Sequence, residues 1–565
     1  MNGNNRVIQR PSQNRDPEFP LRVLKTKKLN FNNEGNEQEN SQKLHQVLDE
    51  AIAGEQACQS IYNELNDRTQ QLASQTITIS FQWRLRVGGI LGFYEILLPA
   101  FHPLYGVPYI PASSIKGVVR AWAEKHHPQA AQRLFGTLDD GVGCVQFLDA
   151  FPKKPCLSKD VVTPQWQWNG DQPIYQPSPH LNLSLKNPQI CFGLLATQRG
   201  SQEDVETVAR WLPLALQDGM GSRTSSGYGR PASGADAADA PLLEKISFEL
   251  WTGGIYGADT REPELRPTAF RGVLRYWFRA IALAMYPPQQ AKKLESKLFG
   301  AIEPEPTKGS LALWLENIEE EIVHNSPPLY VFTGQICLQA SQAEELNFAK
   351  NLLQLASHLG GVGRGSRRPL HWNDAPTNNG WRGWRGCYWE LLEIPKLRRI
   401  QNEWQNLLQQ IRDYLLTIEQ PEDQPANLSP GLPDHRRQEV FNQGTHIFFI
   451  PCPDLPHPGD IDDWQNPQNQ KEIRGEALNL LYDPQFKGVS NNSGNPHVGG
   501  QLGTPSYVTI QSNFAADNSY QTVIVFGIPE SRDRKKFCKT LIQENKRFHR
   551  IKPHEILQNL PSQTA

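Results

Sequence analysis

The chain has 565 residues, of which 38% are hydrophobic, and its formal net charge is −2. This length exceeds what one ordinary hydrophobic core can organise, so we expect three or four domains. The near-neutral charge excludes a uniformly basic nucleic-acid-binding protein, and any nucleic-acid surface must therefore be local.

The sequence also predicts the compartment. No run approaches the ~20 apolar residues that a membrane span needs, and the N-terminus lacks the apolar core of a signal peptide. The eight cysteines are scattered without a CxxC pair, which favours reduced, buried thiols over disulfides or a zinc site. We expect a soluble cytoplasmic protein without a membrane partner and without a structural metal.

The first segment, residues 1–74, combines a polar tail with a helical stretch. Residues 1 to about 40 are rich in Asn, Gln and basic side chains, which bury too little apolar surface to fold alone. From about Ser41 to Leu72 apolar residues recur at helical intervals, which predicts one or two helices.

A period-two alternation then predicts a strand. In TITISFQWRLRV, residues 76–87, apolar side chains take the odd positions and polar side chains the even ones, with Arg84 and Arg86 ending the polar face. KISFELW, which places Ile246, Phe248 and Leu250 on one face, repeats this pattern. A pair of glycines follows each alternation.

A duplicated motif, which we call the hinge, comes after each predicted strand. Both copies contain a basic residue, Gly, two aliphatic residues, Arg, one further residue and Trp, and both continue to Leu-Phe-Gly. Lys116 matches Arg271, and Arg120 matches Arg275. We find no third copy. The two copies are PYIPASSIKGVVRAWAE at 108–124 and RPTAFRGVLRYWFRA at 266–280.

The order of elements predicts the fold. Strand, hinge helix, strands, second helix, glycine loop and strand is the order of a split βαβ unit. Ser201 with Asp204, and Ser341 with Glu344, have capping-box spacing at the start of each second helix. We predict an α+β protein built from tandem ferredoxin-like (RRM-like) modules. The predicted segments are a polar basic tail and helical segment (1–74), a first domain (75–232), a linker (233–241), a second domain (242–418) and a C-terminal α+β extension (419–565).

The C-terminal segment carries its own signals. Three predicted strands surround a glycine- and asparagine-rich loop, and a last helix from about Ser531 concentrates Lys and Arg. This segment is interpreted as an extension of the second domain or as a diverged unit.

Hinge helices and glycine loops are candidate phosphate contacts. Helix N-termini offer free N–H groups, and glycines let a backbone approach a ligand closely. The loops GMGSRTSSGYGR and GVGRGSRRP match neither a Walker A loop nor a Rossmann fingerprint. The alternative is that the arginines pair with acids of their own domain and the glycines only end helices. The candidates are Lys116, Arg120, Arg271, Arg275, Gly219, Gly221, Arg223, Arg230, Gly361, Gly363, Arg364, Arg367 and Arg368.

Two loop carboxylates are candidate catalytic groups. Glu95 and Asp259 each lie between a strand and a hinge. A carboxylate there is able to hold a divalent metal beside a bent RNA backbone and to orient a 2′-hydroxyl for attack on the adjacent phosphate. The alternative is a solvated or capping carboxylate. No histidine has the spacing of a general base.

These motifs resemble the RAMP superfamily of CRISPR effector proteins. GVPYIPASSIKGVVRAW, LFG and VQFLDAFP are similar to subunit six of the type III-B Cmr complex. FELWTGGIYGADTREPELRPTAFRGVLRYWFRA, GGVGRGSRRP and GTPSYVTI are similar to subunit one. The chain looks like a fusion of the two, and the resemblance covers roughly residues 75–530.

The resemblance implies RAMP modules in a type III effector ribonucleoprotein, either III-B or a III-D-like variant. It implies three kinds of partner: CRISPR guide RNA, target RNA and other RAMP subunits. The expected role is a non-catalytic architectural subunit that grips the 3′ part of the guide and the guide–target duplex and needs no cofactor.

Two catalytic alternatives remain. One is a Mg²⁺-dependent endoribonuclease that cuts target RNA through Asp259 or Glu95. The resemblance implies that backbone subunits cut with an aspartate at the position where this chain has Glu95. The other is a metal-free guide-processing RNase, which requires a histidine base.

Overall fold

The computed structural model describes most of the chain outside the tail and several loops. The described residues are 18–26, 37–88, 98–139, 141–163, 166–169, 172–175, 179–232, 242–259, 261–301, 307–373, 383–422, 439–466, 469–487, 495–500, 506–515 and 518–558. No helix in these ranges has the length and apolar character of a membrane span.

The described residues form helices and strands in the following bounds. The helices are α1 (Pro20–Thr26), α2 (Glu37–Gln56), α3 (Gln59–Leu72), α4 (Ala112–His126), α5 (Pro128–Phe135), α6 (Gln202–Leu216), α7 (Pro267–Met285), α8 (Pro288–Phe299), α9 (Ala343–Leu359), α10 (Gln401–Ile418), α11 (Gln470–Leu481), α12 (Arg532–Glu544) and α13 (Pro553–Leu557). The strands are β1 (Gln75–Ser80), β2 (Arg84–Leu85), β3 (Gly136–Thr137), β4 (Gly141–Val142), β5 (Val145–Phe147), β6 (Phe151–Pro152), β7 (Leu157–Val162), β8 (Trp166–Asn169), β9 (Gln172–Tyr175), β10 (His180–Lys186), β11 (Gln189–Ala196), β12 (Leu243–Thr252), β13 (Ala312–Asn325), β14 (Pro328–Gln339), β15 (His371–Asn373), β16 (Gly383–Arg385), β17 (Cys387–Leu391), β18 (His446–Pro451), β19 (Val508–Ala515), β20 (Asn518–Val525) and β21 (His549–Ile551).

The chain divides into two compact units. The first comprises Met1–Asp160, Leu181–Thr224 and Tyr228–Ala235, and the second comprises Val161–His180, Ser225–Gly227 and Asp236–Ala565.

The first unit contains one βαββαβ pattern, which we call the first module (residues 75–232 except 161–180 and 225–227, which belong to the second unit). Its sheet has the order β1-β11-β5, and the helices α4 and α6 follow its first and third strands. After α6 the chain returns along β1. Gln82 N–H donates to Arg230 O at 2.9 Å, and Ala232 N–H donates to Ser80 O at 2.8 Å. The order fourth, first, third, second strand is that of a ferredoxin-like module.

The alternation predicted for residues 76–87 ends at Ser80, and the polar face expected to include Arg84 and Arg86 is wrong. Trp83 has φ of +54°, a left-handed conformation that turns the chain. β2 pairs with β10 in a separate sheet. Arg84 is 2% exposed and Arg86 5% exposed, and the Arg84 guanidinium lies 3.8 Å from the Asp160 carboxylate.

The second unit begins with a second module (residues 243–391) in the same strand order, β17-β12-β14-β13. β12 and β14 pair antiparallel at its centre, with Leu250 opposite Phe332. Ile246, Phe248 and Leu250 point into one core together with apolar residues of α7 and α9. Here the predicted alternation holds along the whole strand, because no residue of β12 leaves the extended conformation.

A third module (residues 446–551) follows, with the order β21-β18-β20-β19 and the helices α11 and α12 in the usual places. Phe449, Tyr520 and Ile524 of this module share one core with α9 and α10. The predicted class, α+β with repeated ferredoxin-like modules, is confirmed.

Only one of the two predicted capping boxes forms. Ser201 Oγ accepts the Asp204 N–H, and the Asp204 carboxylate accepts the Ser201 N–H. At α9 the box predicted for Ser341 and Glu344 is wrong, because the helix starts one residue later, with Gln342 as its N-cap. The carboxylate of Glu345 accepts the Ser341 N–H instead, at 3.1 Å.

The second hinge helix is tied to α8 by a buried ion-pair network. Glu295 of α8 is 3% exposed, and its carboxylate accepts from Arg279 at 2.5 and 2.6 Å and from Arg275 Nε at 2.8 Å. Burial alone raises the pKa of Glu295, but the charges of Arg279 and Arg275 outweigh it and lower that pKa to about 2.

We expect Glu295→Gln to lower the free energy of unfolding by about 3–5 kcal/mol, because it leaves the buried Arg279 without its charged partner. The folded pKa of Glu295 is below its unfolded value, so its contribution is present above about pH 4.5 and is lost as pH falls toward 2. Denaturant titrations at several pH values measure both effects. An equally steep acid decline in the variant would contradict this assignment.

Candidate nucleic-acid interface

The two candidate phosphate contacts on the hinge helix of the first module differ in their partners. Lys116 is partly exposed and has no hydrogen-bond or ion-pair partner among the described residues. Arg120, one turn later, donates through Nε to Glu124 Oε1 at 2.6 Å on the surface. Arg120 therefore takes the partner that the alternative interpretation expected, and of these two hinge cations Lys116 is the one without a partner among the described residues.

The N-terminus of α4 already has an anionic partner. The Asp149 carboxylate accepts the Ala112 N–H at 2.7 Å, which places a negative charge where the helix dipole favours one. Sequence reasoning missed Asp149, because it lies in VQFLDAFP, beyond the helix that it caps. A phosphate at this helix would share its first turn with that carboxylate.

The second hinge helix uses its matched arginines internally. Arg271 is 5% exposed and donates to Phe299 O at 2.6 Å and to Leu311 O at 3.1 Å. Burial, and then the nearby charge of Arg275, lower the pKa of Arg271 to about 9. Arg275 pairs with Glu295. Both phosphate contacts stay predictions, and the geometry gives both side chains structural partners within the chain.

At two hinge positions, nothing in the described part of the chain requires the residue to be glycine. A Cβ added to Gly117 or to Gly272 would meet no atom within 4 Å, and both lie in regular helix. Glycine within a helix costs roughly 0.5–1 kcal/mol relative to alanine. A smooth helix face at these positions instead suits a ligand or partner that approaches the backbone closely.

The first glycine loop, in contrast, needs its glycines for its own fold. Gly219 and Gly221 have φ of +86° and +84°. A Cβ on Gly221 would lie 2.2 Å from Arg86 O, so the loop packs directly against the backbone of the first strand region. The alternative interpretation, in which these glycines end a helix, fits this geometry, and phosphate contact at this loop stays a prediction.

The two arginines of the first loop differ. Arg230 is buried and donates to Gln217 O at 2.7 Å, which closes the loop on the end of α6. Arg223 is partly exposed, has φ of +62° and lies 6.0 Å from the centre of the Tyr228 ring. Of the two, Arg223 is the one placed to reach a ligand.

The second glycine loop is held by the third module. Gly361 leaves no room for a Cβ, which would lie 1.9 Å from Cys387 Sγ, and Gly363 has φ of +86°. Arg367 forms a two-bond ion pair with Glu439 at 2.6 and 2.7 Å. Arg368 donates to Val508 O at 2.6 Å, and Arg364 is exposed.

The structure reveals a third hinge copy that the sequence search missed. Ile473-Arg474-Gly475 lies in α11, which is the first helix of the third module. The basic-Gly pair matches Lys116-Gly117 and Arg271-Gly272, but the flanking proline and tryptophan are absent. Gly475 has φ of +66° and interrupts the helix, so the periodicity that identifies a hinge helix is lost.

Arg474 belongs to a group of cations beside the second glycine loop, which we call the cation cluster: Arg364, Arg368, Arg385, Arg474 and Lys487. Burial, and then the charges of Arg368 and Arg385, lower the pKa of Lys487. Burial lowers the pKa of Arg385, the Tyr482 side chain partly offsets this, and the charge of Arg364 lowers it further. Sequence reasoning missed Arg385, Arg474 and Lys487, because more than 100 residues separate Arg385 from Lys487 in the chain.

The centre of the cation cluster adds no compensating charge. His371 Nδ1 lies 2.8 Å from Pro369 O, and Nε2 lies 2.7 Å from the Tyr482 hydroxyl. Burial lowers the pKa of His371 to about 3; the hydrogen bond to Pro369 opposes this, and the charges of Arg474, Arg368 and Arg385 add to it. The histidine is neutral at physiological pH, and the positive potential of the cluster remains.

Asp259 is engaged by a neighbouring arginine. Its carboxylate accepts from the N–H, Nε and a terminal nitrogen of Arg261 at 2.9, 3.0 and 2.7 Å. This is the capping arrangement that the alternative interpretation expected for a loop carboxylate. Glu95 lies outside the described residues.

Another group of ligand-type side chains, Glu249, Glu390 and His457, lies within 4.8 Å in the described part of the chain. His457 Nδ1 accepts the Gly459 N–H at 3.1 Å, so a neutral ring carries its proton on Nε2, which lies 4.0 Å from the Glu390 carboxylate. Lys396 also pairs with Glu390. Glu390 is thus already engaged by Lys396, and a metal at Nε2 would require the ring proton to move to Nδ1, which would break the hydrogen bond from Gly459.

The sequence comparisons agree with this architecture. Residues 84–231 and 243–368 each match the model of the RAMP superfamily. A stretch of 134 residues is 36% identical to "CRISPR system CMR subunit Cmr6" of Saccharolobus solfataricus, covering 23% of this chain and 46% of that protein. The chain thus spans about half the length of this curated relative.

Similar solved structures include Cmr1 from Pyrococcus furiosus, which is 13% identical and aligns over 55% of this chain and 98% of its own, with a TM-score of 0.34. A chain of the type III-B Cmr-beta complex bound to cognate target RNA is 25% identical over 35% of this chain and 75% of its own, with a TM-score of 0.28.

Two glycine variants separate the two kinds of glycine. We expect Gly117→Ala to raise the free energy of unfolding by about 0.5–1 kcal/mol, because its Cβ meets nothing. Gly221→Ala should lower it by at least about 1 kcal/mol, because both its φ and the Arg86 carbonyl oppose a side chain. Chemical denaturation measures both, and equal effects would contradict the distinction.

Proposed function

We propose that this chain is an RNA-binding architectural subunit of a type III CRISPR ribonucleoprotein effector. In this proposal the first module corresponds to Cmr6 and the second and third modules to Cmr1, joined in one chain. The chain grips the 3′ part of the guide RNA and the guide–target duplex, and it contacts other RAMP subunits. Binding requires no cofactor.

The cation cluster carries the proposal. Burial is the largest cause that lowers the pKa values of Arg368, Arg385 and Lys487, and the charges of neighbouring arginines lower them further, whereas the Tyr482 side chain opposes the shift at the two arginines. Holding like charges together costs free energy unless an anion compensates for it. Phosphate groups of a nucleic-acid backbone are the anion that arginine-rich clusters bind best.

The hinge of the first module supports the same ligand. Lys116 supplies a charge without a partner among the described residues, and the neighbouring Gly117 leaves the helix surface open. A sugar–phosphate backbone can approach such a face closely. Contacts of this kind read the backbone rather than the bases, so the isolated chain should show little sequence preference.

The variant Lys487→Met tests the cation cluster, because it should weaken RNA binding and at the same time stabilise the protein without RNA. RNA affinity should fall, and the salt dependence of binding should flatten by about 0.7–0.9 units for one lost phosphate contact. Stability without RNA should rise, because the depressed pKa shows that the charge of Lys487 is disfavoured in the folded state. Binding of labelled guide RNA across a salt series and thermal unfolding measure the two.

The matched control is Lys297→Met, which removes an exposed charge from α8. It should leave the salt slope unchanged. If the Lys487→Met protein binds RNA with the wild-type slope of log affinity against log salt, the assignment of a phosphate contact to Lys487 is wrong, whatever the stability of the variant.

The nuclease alternative makes a separate prediction. In the assembled complex with matched guide, target RNA and Mg²⁺, we expect Asp259→Ala to leave the cleavage pattern unchanged, because its carboxylate is already held by Arg261. Glu95→Ala is tested in parallel. Loss of a product band in either variant, with guide binding intact, would establish the nuclease instead.

A further inference from the structure

The end of the third module is far more basic than the rest of the chain. Between residues 532 and 552 there are nine Lys or Arg and two Asp or Glu, whereas the whole chain has 57 basic and 59 acidic residues. This stretch covers α12 and β21, which lie outside the segments matched by the family model. The function proposed above assigns no role to it.

The basic side chains of α12 form a stripe along one face. Arg532, Lys535, Lys536 and Lys539 are spaced at i, i+3, i+4 and i+7, and all are exposed. None of these four has a hydrogen-bond or ion-pair partner among the described residues. The stripe continues past the helix end with the exposed residues Lys546, Arg547 and Arg550.

A different arginine, Arg534, connects α12 to the rest of the module. The inward-facing Arg534 is the arginine that anchors α12, since it is 2% exposed, donates to Phe526 O at 2.9 Å and stacks 4.1 Å from the Tyr507 ring centre. The outward cations repel one another without compensation, which disfavours them on stability grounds alone.

A polar groove of about 460 Å³ opens beside β21. One wall is a row of carboxamides on α10, from Gln401, Gln405 and Gln409, spaced one turn apart. Arg550 and Lys552 of the β21 side line the other wall. Carboxamides both donate and accept hydrogen bonds, as base edges require, and the flanking cations suit phosphates.

The positive charges beside the groove also affect His446 in the neighbouring strand β18. Burial lowers the pKa of His446, and the charges of Arg550, Lys552 and His554 lower it further, to about 4, against a smaller opposing effect of Glu555. The Lys552–Glu555 pair at 2.6 Å therefore does not neutralise the site.

We propose that α12, β21 and the groove beside α10 form a second RNA-binding surface, which takes single-stranded RNA. The stripe from Arg532 to Lys539 holds consecutive phosphates, and bases enter the carboxamide groove. The inference rests on the function proposed above only in that RNA is the ligand. The proposed surface includes no residue of the hinges, the glycine loops or the cation cluster.

The surface favours RNA over an acidic protein partner. Protein interfaces have an apolar centre. None of the large exposed apolar side chains in the described ranges lies between residues 532 and 558, and on the α10 side only Ile400, which precedes Gln401, is one. Nucleic-acid interfaces are polar and strongly positive, which is the composition found here.

The test uses the full chain and a labelled single-stranded RNA of mixed sequence, in a salt series. The triple variant Lys535→Gln, Lys536→Gln, Lys539→Gln should flatten the slope of log affinity against log salt by about 2, at roughly 0.7 per lost contact. Its affinity at low salt should fall by at least about tenfold. The control triple Lys293→Gln, Lys297→Gln, Lys471→Gln removes the same charge from α8 and α11 and should leave the slope unchanged.

The groove is tested by Gln405→Ala with Gln409→Ala, which should weaken binding without altering the salt slope, because carboxamides carry no charge. Wild-type affinity in the lysine triple would overturn the proposal, and an acidic protein as the true partner would give that result. If Lys487→Met has no effect while the lysine triple weakens binding, the cation cluster fails and this surface stands. The converse result refutes this surface alone.

Discussion

In each of the three modules the first and third strands pair antiparallel at the centre of the sheet: β1 with β11, β12 with β14, and β18 with β20. With these two strands central, the chain that leaves the second helix must return along the free edge of the first strand. In the first module this return puts Gly229 N–H on Arg84 O at 2.7 Å, and in the second it puts Arg364 N–H on Gly254 O at 3.2 Å. The glycine loops therefore lie where strand pairing delivers them, next to the end of the first strand.

The modules share this strand arrangement, but they place the matched cations of their hinges in different surroundings. At the matched hinge position, Lys116 faces outward whereas Arg271 donates into the interior. The difference follows from the surroundings, because Leu311 and Phe299 offer carbonyl groups to Arg271 and the following helix supplies Glu295 to its neighbours. Duplicated sequence thus preserves backbone geometry more faithfully than it preserves the task of a side chain.

Sequence periodicity was sufficient for the elements but not for the site. The strand at β12, both hinge helices and the α+β class follow from apolar spacing, which is a local property. The turn at Trp83 depends on a single φ value, and Asp149 reaches its helix from a later strand region, so neither is visible locally. The cation cluster needed β16, α11 and the second glycine loop to be brought together, and the interruption at Gly475 hid the third hinge.

The three hinge glycines differ in how strongly the fold requires glycine at their positions. Gly475 cannot be replaced cheaply, because its φ is +66° and a Cβ would lie 2.7 Å from the Gln521 side chain. Gly117 and Gly272 meet nothing, so folding alone exerts no selection for them, and drift toward alanine would be rewarded. In evolutionary terms, glycine at these two positions indicates that the module still makes an external contact. A descendant of this chain in which a module had lost its external contact would be expected to gain alanine there first, while its glycine loops stayed intact.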